Sequence, residues 1–166
     1  MEKNKMAIRT VEDFIRKLQE NGLSEYASEL RRVIAMSRKR KDAVTSLSSM
    51  TIPLLTHLIK LISMPHSKDV NKWRKEIRSY LSVFNIRNKS PKRRPWLLLE
   101  YIQKDLNDVL SSPDFLWHLK EELSDYPNKD NALNLMKTDK SLKSLNIVPS
   151  FDIQNNLIIE INNEPL

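Results

Sequence analysis

The chain has 166 residues, a formal net charge of +7, one glycine and no cysteine. Average usage would give roughly 12 glycines at this length, so glycine-rich loops that bind phosphates or dinucleotides are excluded. The lack of cysteine excludes disulfides, thiol nucleophiles, cysteine zinc sites and iron–sulfur clusters. The first residues have no apolar leader and no apolar run reaches the length of a bilayer span, so we expect a cytoplasmic protein without a membrane partner.

The charge is divided unevenly along the chain. Residues 1–100 carry 22 basic and 10 acidic side chains, whereas residues 101–166 carry 6 and 11. A basic surface attracts polyanions, but it can equally keep a small protein soluble or face the acidic part of its own fold or of a dimer. The candidate polyanion-binding residues are Arg38, Lys39, Arg40, Lys75, Arg78, Lys92, Arg93 and Arg94.

The first predicted elements are a short helix and a longer one. Thr10 is a suitable N-cap before apolar residues spaced three and four apart, and Gly22 lies where a left-handed glycine ends a helix. A second helix begins near Ser24. Pro53 leaves two alternatives for it: the helix ends near Ser49 and a new one starts with the proline in its first turn, or one long helix is kinked there.

The centre of the core is predicted just after that proline, and an amphipathic helix capped by Ser67 or Asp69 is predicted next. Residues 85–95 are predicted as a basic loop with two prolines, and residues 96–110 as an apolar helix. The core positions of the first segment are Leu54, Leu55, Leu58, Leu61 and Ile62, and those of the amphipathic helix are Val70, Trp73, Ile77, Tyr80, Leu81 and Phe84.

The last third of the chain contains two predicted helices, followed at its end by residues with the spacing of β-strands. Ser112-Pro113-Asp114 predicts the start of a helix, and residues 131–145 predict a shorter, more polar one. Residues 151–154 alternate between apolar and polar side chains, and residues 157–161 are rich in β-branched side chains. This pattern predicts a hairpin that turns at Asn155 and Asn156. We therefore expect a mainly α-helical single domain of five to seven helices: a bundle over residues 1–149, and over residues 150–166 a hairpin or extended tail packed on the bundle or on a partner.

The three histidines are the candidates for metal or acid–base chemistry. His57 lies on an apolar helix face without an acid one turn later, which is typical of a core histidine with one satisfied hydrogen bond, and His66 is expected in a loop. His118 lies one turn from Asp114 and Glu122, but one helix supplies too few ligands for a closed metal site and charge pairing explains the spacing. The sequence thus predicts no catalytic, cofactor-binding or metal-binding residue, and no enzyme.

Several landmarks resemble those of a known family. Residues 55–60 are similar to a Leu-x-His-Leu-Leu-Lys helix, Pro65 and Trp73 follow at intervals of eight residues, and Ser112-Pro113-Asp114-Phe115 is similar to a Ser-Pro-Ser-Leu turn. Over about residues 20–145 this order resembles the bacterial helical family named domain of unknown function twenty-nine, while the tail does not match. The resemblance implies a cytosolic bacterial protein with a helical bundle, and it implies no activity.

The sequence contains many features that specify helices and their ends but no recognisable set of catalytic residues. It therefore favours a protein-interaction module, such as an adaptor or an antitoxin- or immunity-like protein. Its partner would be another protein or a second copy, and the hairpin and the charge-split surface are the predicted docking edges. The alternative is a nucleic-acid-binding protein that uses the basic N-terminal two-thirds. Trp73 and Trp96 lie beside cations and could stack a base, although their spacing favours the core.

Overall fold

The computed structural model describes residues 10–166. Backbone contacts divide the chain into two compact units, Met1–Lys41 and Asp42–Leu166. The described part is mainly helical with a small antiparallel sheet at its end, so the predicted fold class is confirmed. Its elements are α1 (Val11–Glu20), α2 (Ser24–Ser63), α3 (Val70–Asn88), α4 (Leu99–Leu110), α5 (Pro113–Glu122), α6 (Lys129–Thr138), β1 (Ile147–Phe151), β2 (Leu157–Ile161) and β3 (Glu164–Pro165).

In the first unit, local signals set both ends of α1. The Thr10 hydroxyl oxygen accepts the Asp13 amide at 3.1 Å, as an N-cap does. Gly22 has φ +71°, its amide donates to the Gln19 carbonyl at 3.1 Å, and the next amide donates to the Leu18 carbonyl at 2.9 Å. These two bonds define a Schellman C-cap, so both predicted boundaries are confirmed.

Helix α2 continues through Pro53, so the alternative of an end near Ser49 is wrong. The proline removes one helical hydrogen bond at a cost of about 3 kcal/mol. The residues just after it offset this cost, because each fully buried aliphatic side chain contributes roughly 1.5–3 kcal/mol. Four such side chains have no exposed area: Leu54, Leu55, Leu58 and Ile59.

Helix α3 buries the predicted face, with Trp73 2% exposed and Ile77 and Phe84 fully enclosed. At its start the Ser67 hydroxyl oxygen accepts the Asp69 amide at 3.2 Å. The prediction that a loop begins at residue 85 is wrong, since α3 extends to Asn88. The added turn is held by contacts with distant parts of the chain, described below.

Helices α4 to α6 differ from the prediction mainly at their ends. Helix α4 starts at Leu99, and α6 spans Lys129–Thr138 where residues 131–145 were expected. The segment after α6 turns back because the Leu142 amide donates to the Asn107 side-chain oxygen of α4 at 2.9 Å. The start of α5 is confirmed, since the Ser112 hydroxyl oxygen accepts the Phe115 amide at 3.2 Å.

The C-terminal sheet has the strand order β1-β2-β3, with both pairs antiparallel. The predicted hairpin is confirmed, but its first strand is residues 147–151, whereas residues 151–154 were expected. A turn replaces the expected strand because the Asp152 carboxylate accepts the amides of Gln154 and Asn156 at 2.9 and 2.8 Å. Asn155 adopts a positive φ of 60°, as the sequence indicated.

The sheet packs within the second unit, where β1 contacts α4 and β2 contacts α3. Ile147, Leu157 and Ile159 are buried in the same core as the helices. The free edge of β1 offers few donors, because the Ile147 amide already donates to the Leu142 carbonyl at 2.9 Å and Pro149 has none. The hairpin edge that the sequence suggested for docking is therefore a poor template for strand addition.

Candidate functional site

The structure places all eight predicted polyanion-binding residues on exposed surface. Arg38, Lys39 and Arg40 lie in the first unit, on α2. Lys75 and Arg78 lie on α3, and Lys92, Arg93 and Arg94 lie in the following loop, so five of the eight belong to the second unit. Among residues 10–166 no ion pair involves any of the eight.

The side of α3 that faces solvent combines cations with apolar side chains. Lys75 and Arg78 are exposed on its first half, whereas Val83 and Ile86 are 53% and 75% exposed on its second half. All four residues lie on the half of the helix opposite the buried Trp73, Ile77 and Phe84, so they share its solvent-facing side. We call this solvent-facing side of α3 the outer face; it comprises Lys72, Lys75, Arg78, Ser79, Ser82, Val83, Ile86 and Arg87.

The outer face of α3 carries no acidic residue. Glu76, the helix's one acid, lies at the border of this face, one turn after Lys72; its side chain is 35% exposed, and its Oε2 lies 2.7 Å from Nε2 of His57 on α2. Sequence reasoning identified the cations but missed Val83 and Ile86. Their exposure could have been predicted from the sequence, because neither residue falls on the helix side defined by Trp73 and Phe84.

The loop after α3 is a closed turn. The Ser90 amide donates to the Arg94 carbonyl at 2.8 Å, and the Arg93 amide donates to the Ser90 carbonyl at 2.9 Å. The Asn155 side-chain amide at the hairpin turn donates to the Arg93 carbonyl at 2.9 Å. The loop therefore holds its cations at a fixed place beside the hairpin, where Ile153 is completely exposed.

Two asparagines of α3 hold the loop and the sheet in place. The Asn85 side chain pairs with the backbone of Leu157, donating to its carbonyl at 3.1 Å and accepting its amide at 2.7 Å. The Asn88 side-chain oxygen accepts the Leu97 amide at 2.8 Å, and its carbonyl accepts the Trp96 amide at 2.7 Å. These bonds explain why α3 extends past residue 85.

A cleft of about 470 Å³ lies between α3 and β2, beside the outer face. Its basic lining residues are Arg78 and Lys89, and its acid is Asp152. The pKa of Asp152 is lowered, first by the hydrogen bond from the Asn156 amide and further by the Gln154 amide and by Lys89. The cleft thus contains charges of both signs, whereas the outer face contains only positive ones.

A partly buried polar cluster lies between α2 and α3, next to the outer face. His57 Nε2 is within hydrogen-bond distance of Glu76 and lies 3.3 Å from the Tyr80 hydroxyl. Its Nδ1 is buried and has no partner among the described residues. A proton on Nδ1 would be an unpaired buried donor, so burial lowers the pKa of His57, and Lys60 lowers it further while Glu76 and Glu122 oppose the shift.

Lys60 is the second charged member of this cluster and is 5% exposed. Its Nζ lies 5.7 Å from the ring centre of Trp73, 5.3 Å from that of Tyr126, and 3.9 Å from Oε2 of Glu122. Burial lowers the pKa of Lys60, while Glu122 and Glu76 raise it. Two aromatic faces and a carboxylate stabilise the ammonium in place of water, so the arrangement binds helices together.

A wider cavity of about 800 Å³ lies between the α2–α3 loop and the α5–α6 loop. Its charged lining residues are Lys68, Asp69 and Asp125, and His66 also contributes, as expected for a loop residue. Because the lining contains charges of both signs, its charge does not favour one class of ligand. Over residues 10–166 no group of three potential ligands is placed to bind a metal ion, and His118 forms no ion pair there.

Every helix of the described chain is too short or too polar to cross a bilayer. No family model matches the sequence, and searches of curated proteins and of solved structures find no significant match.

Proposed function

We propose that the chain is a non-enzymatic protein-interaction module that binds through the outer face of α3 and the loop after it. Its partner is a protein whose surface is acidic and partly apolar. The observation that carries this proposal is the composition of the outer face, where exposed cations lie around Val83 and Ile86 and the one acid of the helix, Glu76, contacts His57 of α2.

The stability of the fold accounts for only part of these cations, since Arg87 lies in the last turn of α3, where the helix dipole favours a cation. The first turn of α3 contains no acid and carries Lys72, although the positive end of the helix dipole disfavours a cation there. The apolar residues are equally unexplained, because Ile86 is 75% exposed. A cation that disfavours the helix, such as Lys72, and apolar groups left in water are typical of a surface that a partner covers.

A protein partner fits the outer face better than a nucleic acid does. Unspecific binding of single strands relies on aromatic side chains that stack on bases. Trp73 is 2% exposed and Trp96 is partly buried where it packs against the core, so the outer face has no exposed aromatic ring of its own. The cations remain available to phosphates, which makes nucleic-acid binding the alternative that the experiment must exclude.

The buried cluster supports a binding function over an enzymatic one. Its strongest candidates for chemistry are His57 and Lys60, whose side chains are 12% and 6% exposed. Both hold α2 against neighbouring helices through contacts that would be lost if they bound a substrate. We infer that the cluster stabilises the second unit. We also propose that the protein is cytoplasmic and belongs to the bacterial family that it resembles.

The proposal can be tested with two labelled probes, a synthetic helical peptide rich in Glu and Leu and a mixed-sequence RNA of similar net charge. Fluorescence anisotropy measures their affinities at two salt concentrations. We expect the peptide to bind, and to lose at least about tenfold in affinity with Ile86→Ser or Arg78→Glu, since apolar contact and charge both contribute.

Lys143→Glu is the matched control, because it reverses an exposed charge in a turn outside α3. It should leave the affinity within about twofold. Preferential binding of the RNA, with a steep loss at higher salt and no effect of Ile86→Ser, would overturn the proposal in favour of nucleic-acid binding. Absence of binding to either probe would also count against it.

A further inference from the structure

The loop after α3 and the turn between β1 and β2 lie side by side on the second unit. The Asn155 side-chain amide joins them, because it donates to the Arg93 carbonyl at 2.9 Å. We call these two segments, residues 89–95 and 152–156, the basic tip. Its charged residues are one acid, Asp152, and four cations, Lys89, Lys92, Arg93 and Arg94.

The positive charge of the basic tip is largely unneutralised. All four cations are exposed, and within the described chain none of them forms an ion pair. Asp152 is half-buried and accepts the amides of Gln154 and Asn156, so its carboxylate shapes the turn and offsets only part of the charge. The next acid after the loop, Glu100, lies in the first turn of α4. Four cations against one acid leave the tip a net charge of +3.

The backbone holds Arg93 in a conformation that bulky residues rarely adopt. Its φ is +60°, in the left-handed region. Ser90 imposes this conformation, since its carbonyl accepts the Arg93 amide at 2.9 Å and its hydroxyl oxygen accepts the Arg94 amide at 3.2 Å. Strained residues that the surrounding structure fixes in this way are concentrated at functional sites, so the loop is a candidate binding element.

Ile153 is the one apolar residue of the turn, and the fold does not account for it. Its side chain is completely exposed. The turn is shaped by polar neighbours, because Asp152 accepts two backbone amides and Asn155 adopts a positive φ. Turns favour glycine, proline, asparagine, aspartate and serine at such positions. An isoleucine fully in water beside four cations therefore indicates a surface that binds both apolar groups and negative charge.

We propose that the basic tip binds the surface of a membrane that contains anionic lipids, with Ile153 inserted among the headgroups and the cations against their negative charges. A nucleic acid would supply negative charge but no apolar interior for Ile153. A stable protein interface needs roughly 800 Å² of matching surface on each partner, which is more than two short turns present. Lipid headgroups rearrange around a small projection, and surface binding of this kind combines apolar insertion with attraction to anionic lipids.

Ile153 lies outside the outer face of α3, so membrane binding goes beyond the proposed function, although both surfaces include the loop. The expectation of no membrane partner rested on the lack of an apolar leader and of a run long enough to span a bilayer. Binding at the membrane surface requires neither of these features. One inserted side chain and four cations predict binding that is weak, reversible and reduced by salt.

Co-sedimentation of the whole chain with vesicles tests membrane binding. One set of vesicles is pure phosphatidylcholine, and the other contains about 30% phosphatidylserine, which gives the surface a negative potential. We expect binding to the second set alone, weakening as salt increases. Ile153→Ser should lower the partition coefficient about tenfold, because it removes the inserted apolar side chain. Lys92→Glu combined with Arg94→Glu should lower it at least about 25-fold, because each cation contributes about fivefold.

Trp117→Ser and Lys143→Glu are the matched controls, since they change an exposed apolar residue and an exposed cation outside the basic tip. Each should leave the partition coefficient within about twofold of the wild type, as expected for distant sites. Circular dichroism verifies that every variant is folded. Absence of binding to the anionic vesicles, equal binding to both sets, or a loss with Trp117→Ser as large as that with Ile153→Ser would each overturn the inference.

The two proposals fail in different ways. A chain that binds the acidic peptide through Ile86 but does not bind anionic vesicles would contradict membrane binding alone. A chain that binds the vesicles through Ile153 but does not bind the peptide would contradict protein docking alone.

Discussion

Replacing Asn85 with alanine should destabilise the second unit by about 2–4 kcal/mol. The side chain makes two hydrogen bonds to Leu157, at 3.1 Å to its carbonyl and 2.7 Å from its amide. Leu157 is 1% exposed, so water from the cleft between α3 and β2 can replace these bonds only in part. An unpaired buried polar group costs about 1–3 kcal/mol, and both groups lose their partner in the variant.

A series of variants makes this prediction specific. Asn85→Asp keeps the oxygen that accepts the Leu157 amide but turns a carboxylate oxygen toward the Leu157 carbonyl, so it should recover little of the stability that Asn85→Ala loses. Ser82→Ala lies on the exposed side of the same helix and should change the free energy of unfolding by less than about 0.5 kcal/mol.

Urea titrations followed by circular dichroism give these free energies, provided that the dependence on urea is unchanged among the variants. A loss for Asn85→Ala no larger than that of Ser82→Ala would refute the reasoning. It would mean that packing alone holds β2 against α3.

Two further predictions concern His57 and Gly22. Because the pKa of His57 is lowered in the fold below its ordinary value of 6.5, the unfolded chain binds the proton more readily. Stability should then be full above about pH 6.5 and fall as the pH drops below it. Unfolding measured from pH 7.5 to 5 should show a weaker decline in His57→Gln, and equal declines would contradict the proposed burial. Gly22→Ala should cost about 1 kcal/mol, because φ is +71° and no other atom lies within 4 Å of the added carbon. Faster amide exchange in α1 would show this loss, Gly22→Asn should lose less, and equal exchange in Gly22→Ala and the wild type would argue against a strained turn.

Helix ends set by neighbouring residues were predicted well. Thr10, Gly22 and Ser112 each act through bonds to residues at most four positions away. Such bonds depend on local chemistry, which a sequence displays directly. The single glycine was therefore informative about architecture as well as about missing phosphate loops.

Boundaries set by distant contacts were not predicted. Helix α3 extends beyond residue 85 because Asn85 pairs with a strand 72 residues later in the chain. Helix α2 continues through Pro53 because the core covers the residues after it. In both cases tertiary contacts outweigh a local signal, and no spacing rule reveals them.

The candidate site was predicted in part. The exposed cations of α3 and its loop could be listed from the sequence, since a basic stripe opposite a buried face is readable. The partner of His57 could not, because Glu76 belongs to another helix. The exposure of Val83 and Ile86 could have been predicted, since they lie off the buried side of α3. Exposed apolar residues indicate a docking surface only together with the neighbouring cations, and the structure was needed to show that those cations form no ion pair.

The measurement that tests the central claim most directly is nuclear magnetic resonance of the labelled protein during titration with the acidic helical peptide. The largest changes in amide chemical shift should map to residues 75–94, with Val83 and Ile86 among the strongest. Changes centred on Arg38, Lys39 and Arg40, or spread evenly over every basic residue, would contradict a docking surface on α3.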